Sequence, residues 1–140
     1  MIFDLYSKCE SVGRGMKTEY YRQYLDMMNQ WLILYQEGKG IDKYLLSKSY
    51  KSVAIYGMAI YGRNIVRDLQ KSEVNIAYGI DQRKMKPYKS VEILQPIGKL
   101  PEVDVIINTV IHEHDSIKNN ISKLTAVPVI SLEDIIFESY

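Results

Sequence analysis

Residues 52–81 read SVAIYGMAIYGRNIVRDLQKSEVNIAYGID. Val53-Ala54-Ile55-Tyr56 is an apolar run of strand length, built mostly from strand-forming residues. Gly57 follows at once, then Met58-Ala59-Ile60-Tyr61 and a second glycine, Gly62. Ile60, Tyr61, Ile65, Val66 and Leu69 then fall on one face at helical spacing. Val74, Ile76, Ala77, Tyr78 and Ile80 form a second apolar strand that closes on Asp81. Strand, tight glycine turn, helix, strand and acid together predict a βαβ unit of a doubly wound sheet.

Such a unit has a chemistry of its own. A helix that starts straight off a strand aims unpaired N–H groups and its positive dipole end at the crevice beyond the strand, where a pyrophosphate or another anion can sit. An acid closing the second strand can accept hydrogen bonds from ribose hydroxyls. Asp81 lies 19 residues after Gly62, close to the usual spacing of about 20. The usual turn is G-x-G-x-x-G, and Ala59 stands where the middle glycine admits the pyrophosphate. The outer glycines, Gly57 and Gly62, keep the turn and the helix–strand packing. Ala59 adds a methyl group in the diphosphate's path.

Downstream, QRKMKPYK (residues 82–89) carries Arg83, Lys84, Lys86 and Lys89 and no acid. Placed after the second strand, Gln82, Arg83 and their neighbours can meet a ribose phosphate or a sugar-nucleotide phosphate; a plain solvated loop is the alternative. Residues 91–94 predict a short third strand, and Pro96, Gly98 and Pro101 break the chain after it. Residues 102–110 (EVDVIINTV) predict a buried fourth strand, 115–124 an amphipathic helix and 127–130 a fifth strand. Ser131 is placed to cap a last helix over Leu132, Ile135, Ile136 and Phe137. Asn108 and Thr109 end the fourth strand, where such folds line a ligand crevice. His112-Glu113-His114-Asp115 is the one cluster with metal-ligand chemistry, but its histidines are two apart and no third histidine exists. A polar helix-start loop is the expected role, with no metal site and no catalytic residue assigned.

Upstream, residues 17–36 form the strongest helical pattern, with Thr18 as the candidate N-cap. Tyr21, Leu25, Met28, Leu32 and Tyr35 are spaced 4, 3, 4, 3, and Tyr20, Tyr24, Met27, Trp31 and Leu34 repeat that spacing one step over. So broad an apolar face must pack on the following domain or on the same helix of a second subunit, a homodimer. Gly38 and Gly40 end it, and residues 41–50 predict a short helix capped by Asp42. Residues 1–16 predict a short helix or a disordered lead. Tyr35-x-x-x-Lys39 and Tyr44-x-x-x-Lys48 share a spacing with short-chain dehydrogenases, but both precede the glycine turn, the reverse of the order in those enzymes.

Composition bounds the function. The 140 residues suit one domain, residues 51–140, behind a helical extension, residues 1–50. A net charge of +1 gives no electrostatic case for a general nucleic-acid binder. Cys9 is the single cysteine, so no internal disulfide forms and a cytoplasmic setting is expected. The sequence has no apolar run of membrane-spanning length and no secretion signal at its start. Tyrosines number 12 against 2 phenylalanines, a bias that either reflects lineage or furnishes a half-buried pocket or interface.

VAIYGMAIYGRNIVRDL, Ile80-Asp81, VDVIINTV and VPVISLEDII together resemble a small Rossmann-like module of bacterial capsule and exopolysaccharide gene clusters, similar to the amino-terminal domain of sugar acyltransferases. The resemblance covers residues 51–138. It implies a five-stranded, mainly parallel α/β sheet of order 3-2-1-4-5, and NAD, NADP or a nucleotide sugar as ligand. Gly57, Met58, Ala59, Ile60, Tyr61, Gly62, Asp81 and Thr109 would line the nucleotide site. The expected function is a nucleotide-binding module accessory to surface-polysaccharide synthesis. The alternative is a degenerate domain used for protein interaction or oligomerisation. A self-sufficient enzyme has least support, since no acid, base or nucleophile stands out.

Overall fold

The alternation of side chains along each strand decides which helices cover which face. In the computed structural model, which describes residues 14–139 with side chains from Thr18 onward, β1 (Ser52–Tyr56) lies at the centre of the sheet. Val53 and Ile55 point to one face, Ala54 and Tyr56 to the other. β4 (Val105–Asn108) pairs parallel with β1 and repeats the pattern, Val105 and Ile107 against Ile106. β2 (Asn75–Ile80), β3 (Ile93–Leu94) and β5 (Val129–Ser131) complete a five-stranded parallel sheet of order β3-β2-β1-β4-β5. This is the doubly wound, Rossmann-like order that the sequence predicts.

The two faces are unequally covered. On one, α1 (Arg14–Gln36), α2 (Ile41–Ser47), α3 (Ile60–Leu69) and α5 (Leu132–Glu138) share a single buried cluster with β1 and β4, including Met27, Trp31, Leu34, Ile41, Leu45 and Ile65. On the other, α4 (His114–Ser122) packs Ile117 and Ile121 over Tyr56, Tyr78 and Ile106, with Leu100 filling the edge. The helices before residue 51 are therefore part of the main core. Side-chain bonds tie them down: Trp31 Nε1 donates to Asp68 on α3 at 3.0 Å, Gln23 to Glu133 at 2.7 Å, and the Tyr44 hydroxyl to Glu138 at 3.0 Å.

Several boundaries differ from the sequence reading. α1 begins at Arg14, so Thr18 lies inside the helix and is not its cap. Its end has the expected glycine: Gly38 sits at φ +70°, with the Lys39 amide bonded to Leu34 O and the Gly38 amide to Tyr35 O. α2 stops at Ser47 and its N-cap is Gly40, so Asp42 is a first-turn acid rather than a cap. β3 is two residues long because Lys89 and Ser90, at φ +46° and +68°, turn the chain so that Tyr88 and Val91 exchange two backbone bonds. β2 bulges at Ala77, since Val53 pairs with Ile76 but Ala54 with Tyr78. The extra residue puts Ile76 and Tyr78 on opposite faces. Ser131 does cap α5, accepting the Glu133 amide at 3.2 Å. The lead over residues 1–13, with Cys9, lies outside the described residues.

Candidate functional site

The chain turns out of β1 through Gly57, whose φ of +89° favours glycine. A side chain there would strike the Thr109 hydroxyl and approach Val110 Cγ2 at 3.0 Å. Thr109, buried at the end of β4, locks the turn: its hydroxyl lies 2.9 Å from the carbonyls of both Tyr56 and Gly57, and its amide donates to Tyr56 O at 3.0 Å. Gly62, one turn into α3, passes so close to the Gly57 carbonyl that a Cβ would collide with it. The outer glycines of the motif therefore serve the turn and the helix–strand approach. Ala59, the N-cap of α3, is exposed at φ −81°, with its methyl group at the mouth of the turn. The first intrahelical bond runs from the Arg63 amide to Ala59 O, which leaves the earlier amides without an intrahelical acceptor.

Asp81 is used by the protein itself. One carboxylate oxygen accepts the Met58 amide at 3.0 Å and an Arg83 guanidinium N–H at 3.2 Å. The other accepts the Arg83 amide at 2.9 Å and Arg83 Nε–H at 3.0 Å. Burial works to raise its pKa, but the Arg83 side chain and the Arg83 and Met58 amides outweigh it and hold the carboxyl below its ordinary value. The acid thus staples the glycine turn to the end of β2 and draws the Arg83 guanidinium over the crevice.

A cleft of about 420 Å³ opens outside the carboxyl ends of β1 and β4, the topological switch point where open α/β sheets take ligands. Of the ten residues expected at the site, Gly57, Ala59, Tyr61, Asp81, Gln82, Arg83 and Thr109 line it. Met58 does not: its side chain is fully buried and fills the space above Gly79, where a Cβ would meet it at 2.7 Å. Gly62 is buried against the turn, and Ile60 faces an adjoining cavity with Ala59, Arg63, Arg67, Arg83 and Met85. Asn108 also turns inward, bridging Val110 and the His114 ring.

Five lining residues fall outside the expected ten: Tyr56, Val110, Glu113, Ile117 and, from α1, Tyr24. The Tyr24 ring stacks on Tyr61 at 4.7 Å between centroids, and together they form the aromatic wall of the cleft. Burial pushes the Tyr24 hydroxyl up to about 12, so it stays protonated, 3.0 Å from His112 Nδ1. His114 instead meets Asn108, so the two histidines serve different partners. Among the described residues no three His, Cys, Asp or Glu side chains gather as a metal site, and no helix is long and apolar enough to cross a membrane. A groove of similar volume, about 450 Å³, runs between α1 and α3 past Trp31, Leu32 and Asp68. It collects none of the strand-end groups.

No protein-family model matches the chain, and no curated protein and no solved structure matches it.

Proposed function

We propose that the chain is a nucleotide-binding module, with NAD(P) or a nucleotide sugar as its ligand and bacterial surface-polysaccharide synthesis as its setting. One observation carries the binding part: a locked glycine turn, the open amides of α3, a guanidinium and an aromatic pair all converge on one cleft at the switch point of the sheet. Open amides and Arg83 suit a diphosphate, and the Tyr24–Tyr61 wall suits a planar ring. The polysaccharide setting rests on the resemblance of residues 51–138 alone. The test is thermal stability against NAD, NADP, UDP-N-acetylglucosamine, CoA and ATP. A ligand at 100 times its dissociation constant adds about 2.7 kcal/mol, a shift of several degrees for a domain of this size. No shift with any of the five would count heavily against the reading.

A second reading has its own observation. α1 buries one seam, Met27, Trp31 and Leu34, and leaves Leu25, Leu32 and Tyr35 of the other exposed at 51%, 54% and 68%. That exposed seam keeps the spacing that pairs helices, which favours an interaction or oligomerisation unit.

A further inference from the structure

Next to the cleft lies a cavity of about 340 Å³ between α3 and the loop after β2. It shares Ala59 and Arg83 with the cleft, so one ligand can occupy both. Its walls carry three guanidinium groups, those of Arg63, Arg67 and Arg83. Arg63 and Arg67 sit one helical turn apart, and both lie over the Tyr88 ring, at 5.0 and 5.7 Å from its centroid. Tyr88 is itself held in place. The positive-φ pair Lys89 and Ser90 closes the turn behind it, and Gln70, the C-cap of α3, donates to the Lys89 carbonyl at 3.0 Å.

The charges here are unbalanced. Among the described residues no carboxylate lies within ion-pair distance of Arg63 or Arg67, and Arg67 bonds only the neutral Asn64 side chain, at 2.7 Å. Of the neighbouring acids, Glu113 lines the adjoining cleft, Asp68 shares the α1–α3 groove with Arg67 and accepts from Trp31 Nε1, and Asp81 is spoken for by Arg83 and the Met58 amide. A ribose diol would have to displace Arg83 to reach it. Arg83 has N–H donors beyond the two that Asp81 takes. In a dinucleotide site a free strand-end acid repels a phosphate on the ribose. Here the acid is neutralised, and the surface next to it is cationic. Planar guanidiniums bind the oxygens of a phosphate in pairs, and a dianion among three of them relieves their mutual repulsion.

We propose that this cavity seats a phosphomonoester carried on the ribose of the bound nucleotide, a specificity that rests on the nucleotide-binding reading above. Two matched pairs test it: NADP against NAD for a 2′-phosphate, and CoA against dephospho-CoA for a 3′-phosphate. Affinities are measured calorimetrically at one salt concentration, for the wild type, Arg63→Gln/Arg67→Gln and Arg63→Lys/Arg67→Lys. In one pair the phosphorylated member binds the wild type tighter, on the order of tenfold to a hundredfold. That preference collapses in the glutamine variant and is partly kept in the lysine variant. Both residues are exposed, and the unliganded melting temperature confirms that each variant is folded. Equal affinity within both pairs, or a preference that survives Arg63→Gln/Arg67→Gln, overturns the proposal and leaves the nucleotide site standing. So does binding of UDP-N-acetylglucosamine with none of the four. If none of the five binds to folded protein, both readings fall.

Discussion

Asp81→Asn tests the construction of the turn most directly. The substitution keeps the shape of the side chain and removes its charge. The carboxylate accepts the Met58 amide at 3.0 Å on one side and the Arg83 amide at 2.9 Å on the other. An amide side chain has one acceptor oxygen and one donor group, so it cannot serve both. With its oxygen toward Met58, its NH₂ faces the Arg83 donors; reversed, it leaves the Met58 N–H opposite another donor. A buried donor without a partner costs about 1–3 kcal/mol. The Arg83 side chain, 63% exposed, adds little, because water screens it. The expected loss is about 2 kcal/mol at pH 7, or roughly 6–8 °C in melting temperature for a chain of this size. The pH dependence gives a second signature. The folded pKa of Asp81 lies below its unfolded value, which is about 3.9. Its contribution is therefore fully present above about pH 5 and drains away as the pH falls through that window toward the folded pKa. Asparagine does not titrate, so the gap between wild type and variant narrows below about pH 4. Asp68, whose carboxyl burial raises, titrates in both proteins and cancels in the difference. Urea titrations from pH 7 to pH 3 read the gap directly. No gap at pH 7, or a gap unchanged at pH 3, would refute the reasoning.

The other predictions concern the turn and the exposed helix. Gly57→Ala is expected to lose about 3 kcal/mol in urea denaturation, from the left-handed backbone and the collision with Thr109; a loss under about 1 kcal/mol would mean the turn relaxes freely. Ala59→Gly leaves stability within about 0.5 kcal/mol, since glycine is tolerated at an N-cap, and tightens calorimetric binding of a diphosphate ligand; unchanged affinity would clear the methyl group of obstruction. Leu25→Glu with Leu32→Glu shifts stability by no more than about 0.5 kcal/mol per site. If the second seam of α1 pairs with another copy, sedimentation shows a wild-type dimer that this variant lacks; a monomeric wild type excludes self-pairing.

How much the sequence discloses depends on how local the cause is. The glycine turn, the helix after it and the apolar strands follow from spacing alone; the strand order follows only once they are read as a doubly wound fold with right-handed crossovers. The Ala77 bulge does not, because in the sequence Ile76 and Tyr78 keep the two-residue spacing that places side chains on one face of a regular strand, and only pairing with β1 reveals the extra residue. The fourth strand reads as residues 102–110 but spans Val105–Asn108. At one end Asp104 turns away to accept the amides of Lys51 and Ser52, and at the other Asn108 folds back on Val110. The two seams of α1 are equivalent in spacing, so which one is buried is a tertiary fact. Met58 and Tyr24 show the same limit at the site. Met58 lies in the motif yet packs beneath it, while Tyr24 lies 33 residues before Gly57 in sequence and beside Tyr61 in space. The one sequence signal for Tyr24 is its place on the seam with Met27, Trp31 and Leu34.

The division of labour in the crevice follows from these contacts. Three groups that a motif reading gives to the ligand are already engaged: the Asp81 carboxylate with Arg83, the Met58 amide with Asp81, and the Thr109 hydroxyl with the Tyr56 and Gly57 carbonyls. They fix the turn in advance, which lowers the ordering cost of any ligand that fits it. What remains to make contact is the start of α3, the arginines around Ala59 and the ring faces of Tyr24 and Tyr61. Tyr24 comes from α1, whose Met27, Trp31 and Leu34 also fill the main core. The helices before residue 51 therefore cannot be detached from the site. Removing them would uncover one face of the sheet and strip the cleft of half its aromatic wall, leaving a glycine turn with an intact motif and a site open to water on the side where a ring would lie.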